Sequence, residues 1–279
     1  MRIIDLHCYT NTQRWIDCQG PYVAALAEYW NRDWSAKTED EVIAEFEGAG
    51  VEACLVALDL ETTIGTTPCN NDYVHAMWKR HPERVIQCWG ALDPFKDSAI
   101  DEAAHAVKDL GMFGFHFHPI MQHFAVNDRR FYPLFETISR LGVAVMIDVG
   151  TTGMGAGMPG GNGAKIRHAN PLALDDLAAD FPDLTILAAH PGWPWYEEMT
   201  AVTLHKGNVY WEMSGWAPKY FPEPLKRDIR GRLQDKIMFG SDYPSLPYER
   251  IFKEWGELGY KDDILEKVYH GNAERVLSL

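Results

Sequence analysis

Residues 141–150 read LGVAVMIDVG, and their order decides the fold. Gly142 closes a helical pattern, Val143 to Ile147 follow without a polar break, Asp148 ends the apolar run, and Gly150 opens a glycine-rich stretch. A strand that is apolar on both faces must be covered on both sides, as parallel strands are. A glycine just before such a strand supplies the left-handed conformation that ends a helix. The stretch therefore encodes a helix stop, a buried parallel strand and a polar residue at the strand's carboxyl end.

The same unit recurs in both directions along the chain. Strand-like runs lie at Ile3–Cys8, Val51–Leu58, Arg84–Leu92, Phe113–His118, Val143–Val149, Leu184–Ala189, Val209–Met213 and Ile237–Phe239. Helical patterns alternate with them at Glu39–Ala49, Asn71–Arg80, Ala99–Leu110, Arg129–Leu141, Pro171–Asp180, Tyr196–Leu204 and Pro224–Gln234, and Glu249–Leu258 and Asp262–Leu277 follow the last strand. Eight strand-then-helix units predict the α/β class and a (β/α)8 TIM barrel built as one domain over residues 1–279. No Gly-x-Gly-x-x-Gly turn follows the first strand, which argues against a doubly wound dinucleotide fold.

Two connections exceed a simple link, residues 9–37 and 150–170, and both leave carboxyl ends of strands, the face where barrels keep their active sites. Seven glycines between Gly150 and Gly163 make the second read as a lid. Its GGNGAK stretch, residues 160–165, lacks the Lys-Ser/Thr pair of a phosphate-binding loop.

Composition narrows the function. With 26 basic and 40 acidic residues the net charge is −14, which argues against a nucleic-acid or anionic-membrane partner and for a small-molecule substrate. No apolar run approaches the roughly 18 residues of a spanning helix, and a strand begins at once where a charged leader would stand, so a cytoplasmic protein is expected. Five cysteines without a Cys-x-x-Cys pair fit neither a disulfide framework nor a zinc ribbon. Cys54 and Cys88 lie in strand runs and read as core, whereas Cys8 and Cys69 are candidate nucleophiles.

Polar residues cluster where a barrel presents its site. The first strand ends Asp5-Leu6-His7-Cys8-Tyr9, the fourth His116-Phe117-His118, the fifth Asp148, the sixth His190 and the eighth Ser241-Asp242. Alternation puts Asp5, His7 and Tyr9 on one face, and His116 with His118. His75, His81, His105, His205 and His270 fall on helices or helix ends and read as filler. Six tryptophans, Trp15, Trp30, Trp34, Trp193, Trp195 and Trp216, fall in loops after strands one, six and seven; Trp193 and Trp216 are candidate contacts for a flat or aromatic substrate. Arg129, Arg130, Lys165 and Arg167 are the basic residues nearest this face, with Arg167 the first candidate for a substrate carboxylate.

The segments IDLH (4–7), GMFGFHFHP (111–119), FPDLTILAAHPG (181–192), NVYWEMSG (208–215), IMFGSDYP (237–244) and GNAERVL (271–277) resemble, in order and over nearly the whole chain, the amidohydrolase superfamily, specifically its amidohydrolase-related branch of aminocarboxymuconate-semialdehyde decarboxylase-like enzymes. The resemblance implies a divalent metal, often zinc, held by a His-x-His pair on strand one, a His on strand five and the Asp on strand eight, with the strand-six His as acid or base. It maps these roles onto His7, His190 and Asp242. Tyr9 and Asp148 stand where the family carries histidines.

Asp148 can still ligate zinc through oxygen, so His7, Asp148 and Asp242 form a candidate three-ligand site, while the phenol of Tyr9 is a poor ligand and a candidate catalytic group. The alternative implied by lactone-hydrolysing relatives is metal-free: Asp242 as base, with His190, His7 and His116 supplying protons and oxyanion stabilisation. His116 and His118 are also candidate substrate contacts.

The expected activity is water-activating hydrolysis of a small carboxylated, lactone or β-keto substrate, because SGWAPKYFP (214–222) resembles proteins of aromatic-acid breakdown, including proposed β-ketoacyl-thioester hydrolases. The alternatives are non-oxidative decarboxylation of an aromatic or muconate-type acid, and a non-catalytic small-molecule-binding barrel. The resemblance also implies a possible homodimer.

Overall fold

The computed structural model describes residues 1–279. Eight strands, β1 (Ile4–Cys8), β2 (Glu52–Val56), β3 (Val85–Ala91), β4 (Gly114–Phe117), β5 (Ala144–Asp148), β6 (Ile186–Ala189), β7 (Val209–Glu212) and β8 (Ile237–Met238), pair in sequence order, every neighbour parallel. Beyond β8, Leu6 N–H donates to the Phe239 carbonyl at 3.2 Å and Tyr243 N–H donates to the His7 carbonyl at 3.2 Å, drawing the last strand against the first. The expected (β/α)8 barrel is what forms.

Alternation explains which side chains reach the centre. On β4, Phe115 and Phe117 are fully buried, and the Phe117 ring lies 5.4 Å from that of Phe135 on the helix Tyr132–Leu141. His116, between them, takes the opposite side of the sheet and points into the barrel. Strand bodies are largely apolar because both faces are covered, and polar residues inside them, such as Asp5 in β1 and Gln87 in β3, are hydrogen-bonded.

The long connection after β1 is not a plain loop. It holds α1 (Gln13–Gln19) and α2 (Pro21–Trp30), broken at Gly20, with Pro21 opening the second helix. Trp15, Cys18 and Gln19, then Tyr22, Val23 and Leu26, are buried at spacings of one helical turn, which is why so short a segment is helical. The chain then enters α3 (Glu39–Ala49) through a capping box: Thr38 accepts from Glu41 N–H, and the Glu41 carboxylate accepts from Thr38 N–H at 2.8 Å. The connection after β5 holds no α-helix: Gly160, Gly161 and Asn162 turn through left-handed backbone at φ +59°, +61° and +55°, and a short 3-10 turn follows at Ile166–Ala169. No helix is long and apolar enough to cross a membrane.

Candidate functional site

The ends of β4 and β6 converge on Asp148 at the end of β5. Its Oδ1 lies 2.9 Å from His116 Nε2 and 3.5 Å from His190 Nε2, and its Oδ2 lies 3.3 Å from His118 Nε2. Burial alone would raise this carboxyl, but the three imidazoles hold it well below the usual carboxylate range. The partners respond according to their surroundings. Burial carries His118 down to about 4 despite Asp148. At His190, burial also pulls downward, but Asp148, Asp242 and Glu212 outweigh it and leave the ring at about 10.

Asp242 faces this cluster from just beyond β8. It adopts φ +58°, as His190 adopts φ +71°, a left-handed conformation uncommon for either residue type. That geometry turns both side chains into the same cavity. Asp242 Oδ2 accepts from Ser245 Oγ at 2.8 Å and Oδ1 lies 3.8 Å from His7 Nε2. Burial raises its carboxyl to about 6, the nearby His190 offsetting only part of the cost.

His7, fully buried, joins the two sides. Its ring centroid lies 5.1 Å from that of His116 and 5.2 Å from that of His190. Its Nδ1 faces Ser214 Oγ at 3.2 Å and Glu212 Oε2 at 3.4 Å, while its Nε2 has no hydrogen-bond partner. Burial, then the neighbouring His116, lowers its basicity well below the ordinary imidazole value. Glu212 is itself fully buried, its carboxyl pushed well up by burial, and it accepts from Ser214 Oγ at 2.7 Å. The backbone makes room: a Cβ on Gly240 would sit 2.1 Å from Glu212 Oε1, and one on Gly215 2.7 Å from His190 Nδ1.

Above the cluster lies a cavity of about 60 Å³ whose walls include Tyr9, Trp15, Trp34, His118, Met121 and Met154, with Asp148, His190 and Asp242 at its polar end. A second cavity shares His190 and Asp242 and is walled by Trp30, Trp193 and Trp216. Tyr9 packs between His7 and Trp15, and burial raises its phenol well above the ordinary value, so it presents a neutral hydroxyl.

The structure thus brings together His7, Tyr9, His116, His118, Asp148, His190 and Asp242, and places Trp193 and Trp216 beside them. Asp5 is elsewhere: its carboxylate accepts from Tyr248 OH at 2.7 Å, Ser241 N–H at 2.9 Å and His7 N–H at 3.1 Å, and it lines no cavity wall. The β1–β2 register shifts between Asp5 and Cys8, so simple alternation along this strand does not hold.

Arg167 and Lys165 are exposed and contribute to neither cavity, while Arg129 and Arg130 pair with Asp180 and Asp128 on the surface. Cys8 and Cys69 are not nucleophiles: both are fully buried, outside these cavities, and burial pushes Cys8 well up and Cys69 to about 12. All five thiols are free.

Glu212 and Ser214 join the site from the end of β7, beyond the strand ends that the sequence singles out. Glu212 ends β7 as Asp148 ends β5, so the test that found one finds the other. Trp15 and Trp34 owe their place in the wall to the unforeseen helix α1 and the turn after α2.

Could these residues hold a metal? His7 Nε2 is buried and unpartnered, ligand atoms of His7, His116 and Asp148 lie within 4.8 Å of one another, and Asp242 Oδ1 adds a fourth at 3.8 Å from His7 Nε2. Imidazole and carboxylate donors suit a divalent first-row cation, and the Glu212 and Ser214 contacts to Nδ1 orient the ring as ligating histidines are oriented. The residues fit.

A family model described as Amidohydrolase matches residues 16–279. Among curated proteins there is no match. Solved structures do align. An uncharacterised TIM-barrel protein of Bordetella bronchiseptica has a TM-score of 0.78 at 24% identity, covering 100% of this chain and 99% of that one. A dihydroxybenzoic acid decarboxylase of Polaromonas, with bound manganese and the inhibitor 2-nitroresorcinol, gives 0.71 at 17%, covering 100% and 97%. A probable 2-pyrone-4,6-dicarboxylic acid hydrolase of Acinetobacter baumannii, with citric acid bound, gives 0.68 at 13% over the full length of both. At these identities the shared property is the fold.

Proposed function

From the premise that the chain belongs to the amidohydrolase family, we propose that it hydrolyses a small, flat carboxylated substrate, a lactone or β-keto compound, using Asp242 as base and His190 as acid. One observation carries the reading: two residues in left-handed backbone aim into one cavity, and their surroundings set them apart, His190 at about 10 and Asp242 at about 6. Near neutrality the first is a cation and the second an anion, as an acid and a base must be before turnover.

The steps follow from those states. Asp242 takes a proton from water as the water oxygen bonds to the substrate's carbonyl carbon. The imidazolium of His190, held by Asp148 and Ser214, stabilises the oxyanion and then gives its proton to the leaving atom as the bond to the carbonyl carbon breaks. His118, anchored to Asp148, contacts the substrate with Tyr9, Trp193 and Trp216 flank the entrance, and His116, the expected substrate contact, lies buried outside both cavities and instead positions Asp148. A divalent cation, zinc or manganese, would be held by His7, Asp148 and Asp242, with His116 beside them, and would supply Lewis-acid polarisation of the substrate's carbonyl or carboxylate. The reading extends to a cytoplasmic protein, as the sequence pattern suggests, and to a homodimer, as the family resemblance implies.

Decarboxylation of an aromatic acid is the second reading, favoured by the Polaromonas neighbour, a decarboxylase of this fold. The fraction of Asp242 that is protonated would then deliver a proton to the ring carbon as carbon dioxide leaves. Turnover of pyrone carboxylates, β-keto acids and hydroxybenzoates in oxygen-18 water decides. Label in a product carboxylate supports hydrolysis; unlabelled product with released carbon dioxide supports decarboxylation. If no member of the panel turns over yet all bind, the barrel is a binding protein. Metal analysis of the purified protein, with and without His7→Ala, tests the cation: about one equivalent per chain, lost in the variant, is expected.

A further inference from the structure

A third cavity opens beside the mouth of the site, walled by Trp30, Arg32, Trp216, Tyr220, Ser245 and Arg250 among others. It adjoins the chemistry, because Trp30 and Ser245 also line the central cavity and Trp30 and Trp216 line the second. Ser245 is the residue that donates to Asp242.

Arg32, like Arg14 and Lys236, is a cation with carbonyl partners and no carboxylate, but of the three it alone lines a cavity at the mouth of the site. Its guanidinium donates to the main-chain carbonyls of Ser245 and Pro244, and no carboxylate pairs with it. It lies 5.9 Å from the Trp34 ring, which stacks on Trp15 inside the site. Arg250, the other cation here, is engaged by Glu254 at 2.8 Å. Burial and the charge of Arg250 both disfavour the Arg32 cation, the situation an incoming anion relieves. Two carbonyl contacts leave N–H donors of the fork free for a planar, bidentate acceptor, and the exposed faces of Trp30 and Tyr220 offer flat apolar surface around it.

The geometry points to an anion subsite: Arg32 receives a second carboxylate, at the end of an aromatic substrate away from its reacting carbon. The assignment rests on the proposed reading of the central cavity as the place where the reacting end sits. It makes the preferred substrates dicarboxylates and makes Arg32 a specificity residue.

Binding by the metal-free protein tests this without turnover, through the fluorescence of Trp30 and Trp216 or by calorimetry. The probes are terephthalate and biphenyl-4,4′-dicarboxylate, each against its monoacid, benzoate or biphenyl-4-carboxylate. At least one diacid is expected to bind about tenfold or more tighter than its monoacid, as a charged hydrogen-bonded contact provides. Arg32→Gln should abolish that advantage and leave monoacid affinity unchanged, and Arg32→Lys should restore part of it. A diacid advantage that survives Arg32→Gln, or its absence in the wild type with both diacids, overturns the subsite. If His190→Ala weakens neither monoacid while the Arg32-dependent advantage persists, the subsite stands and the reading of the central cavity falls.

Discussion

Asp148 and Asp242 are the same residue type at the same level of the barrel, and their surroundings make them different groups. Asp148, at the end of β5, meets imidazole nitrogens at 2.9, 3.3 and 3.5 Å and is held well below the usual carboxylate range. Asp242, past β8, accepts one hydroxyl at 2.8 Å, has His7 Nε2 at 3.8 Å, and is compensated by the nearby His190 only in part, so burial takes it up to about 6. A carboxylate clasped on all sides is a fixed counter-charge. One left with a single hydrogen bond keeps lone pairs, and a proton affinity, for the substrate.

The comparison breaks most visibly if the wrong aspartate is essential. Asp242→Asn should fold with an unchanged thermal midpoint and lose about 10²- to 10⁴-fold in kcat, the worth of one acid or base. Circular dichroism and steady-state kinetics on the same preparation check it; activity within tenfold of wild type would remove Asp242 from the chemistry.

Asp148→Asn should cost stability as well as activity. Removing one partner from a buried charged cluster leaves the others unpaired, a loss of about 3–5 kcal/mol by denaturant titration. Equal stabilities of the Asp148 and Asp242 variants would erase the distinction between clasped and free carboxylate.

A pH series on chelated protein sharpens it further. His190 is raised from 6.5 to about 10 in the folded state, so the stability it contributes is complete below about pH 6.5 and is lost as pH rises toward 10. The wild type should therefore lose stability across that window. In His190→Gln this component of the decline should be missing; an identical slope would mean that the imidazole does not carry the charge assigned to it.

The barrel was legible because its signal is repeated: eight apolar runs, each closed by a polar residue, admit few other arrangements, and the same position marked His7, His116, Asp148, His190 and Asp242. Pairings were not legible. Nothing in the order of residues says that Asp148 gathers three imidazoles or that His7 leans on Glu212, since those contacts join strands 32 and 205 residues apart. Nor could the walls be assigned. Trp15 and Trp34 reach the cavity only because α1 and α2 fold over the mouth; the turn-spaced run from Trp15 to Leu26 marks them, but the break at Gly20-Pro21 splits it into two pieces each too short to read as a helix alone.

The smallest expected effect concerns the residue that sequence favoured for a substrate carboxylate. Arg167 and Arg32 both sit in loops on the mouth side of the barrel, and composition gives no reason to prefer either. Their surroundings do. Arg167 is exposed on a 3-10 turn and lines neither site cavity, so water and salt already satisfy its charge. Arg32 is partly buried on a cavity wall with only carbonyl partners. Arg167→Ala should accordingly change KM for a turned-over carboxylate by less than about twofold, while Arg32→Gln raises it about tenfold for a dicarboxylate and leaves kcat in place. A larger KM effect at Arg167 than at Arg32 would mean that the connection after β5 closes over the substrate and carries its own cation in, moving carboxylate recognition from the β1 side of the mouth to the β5 side.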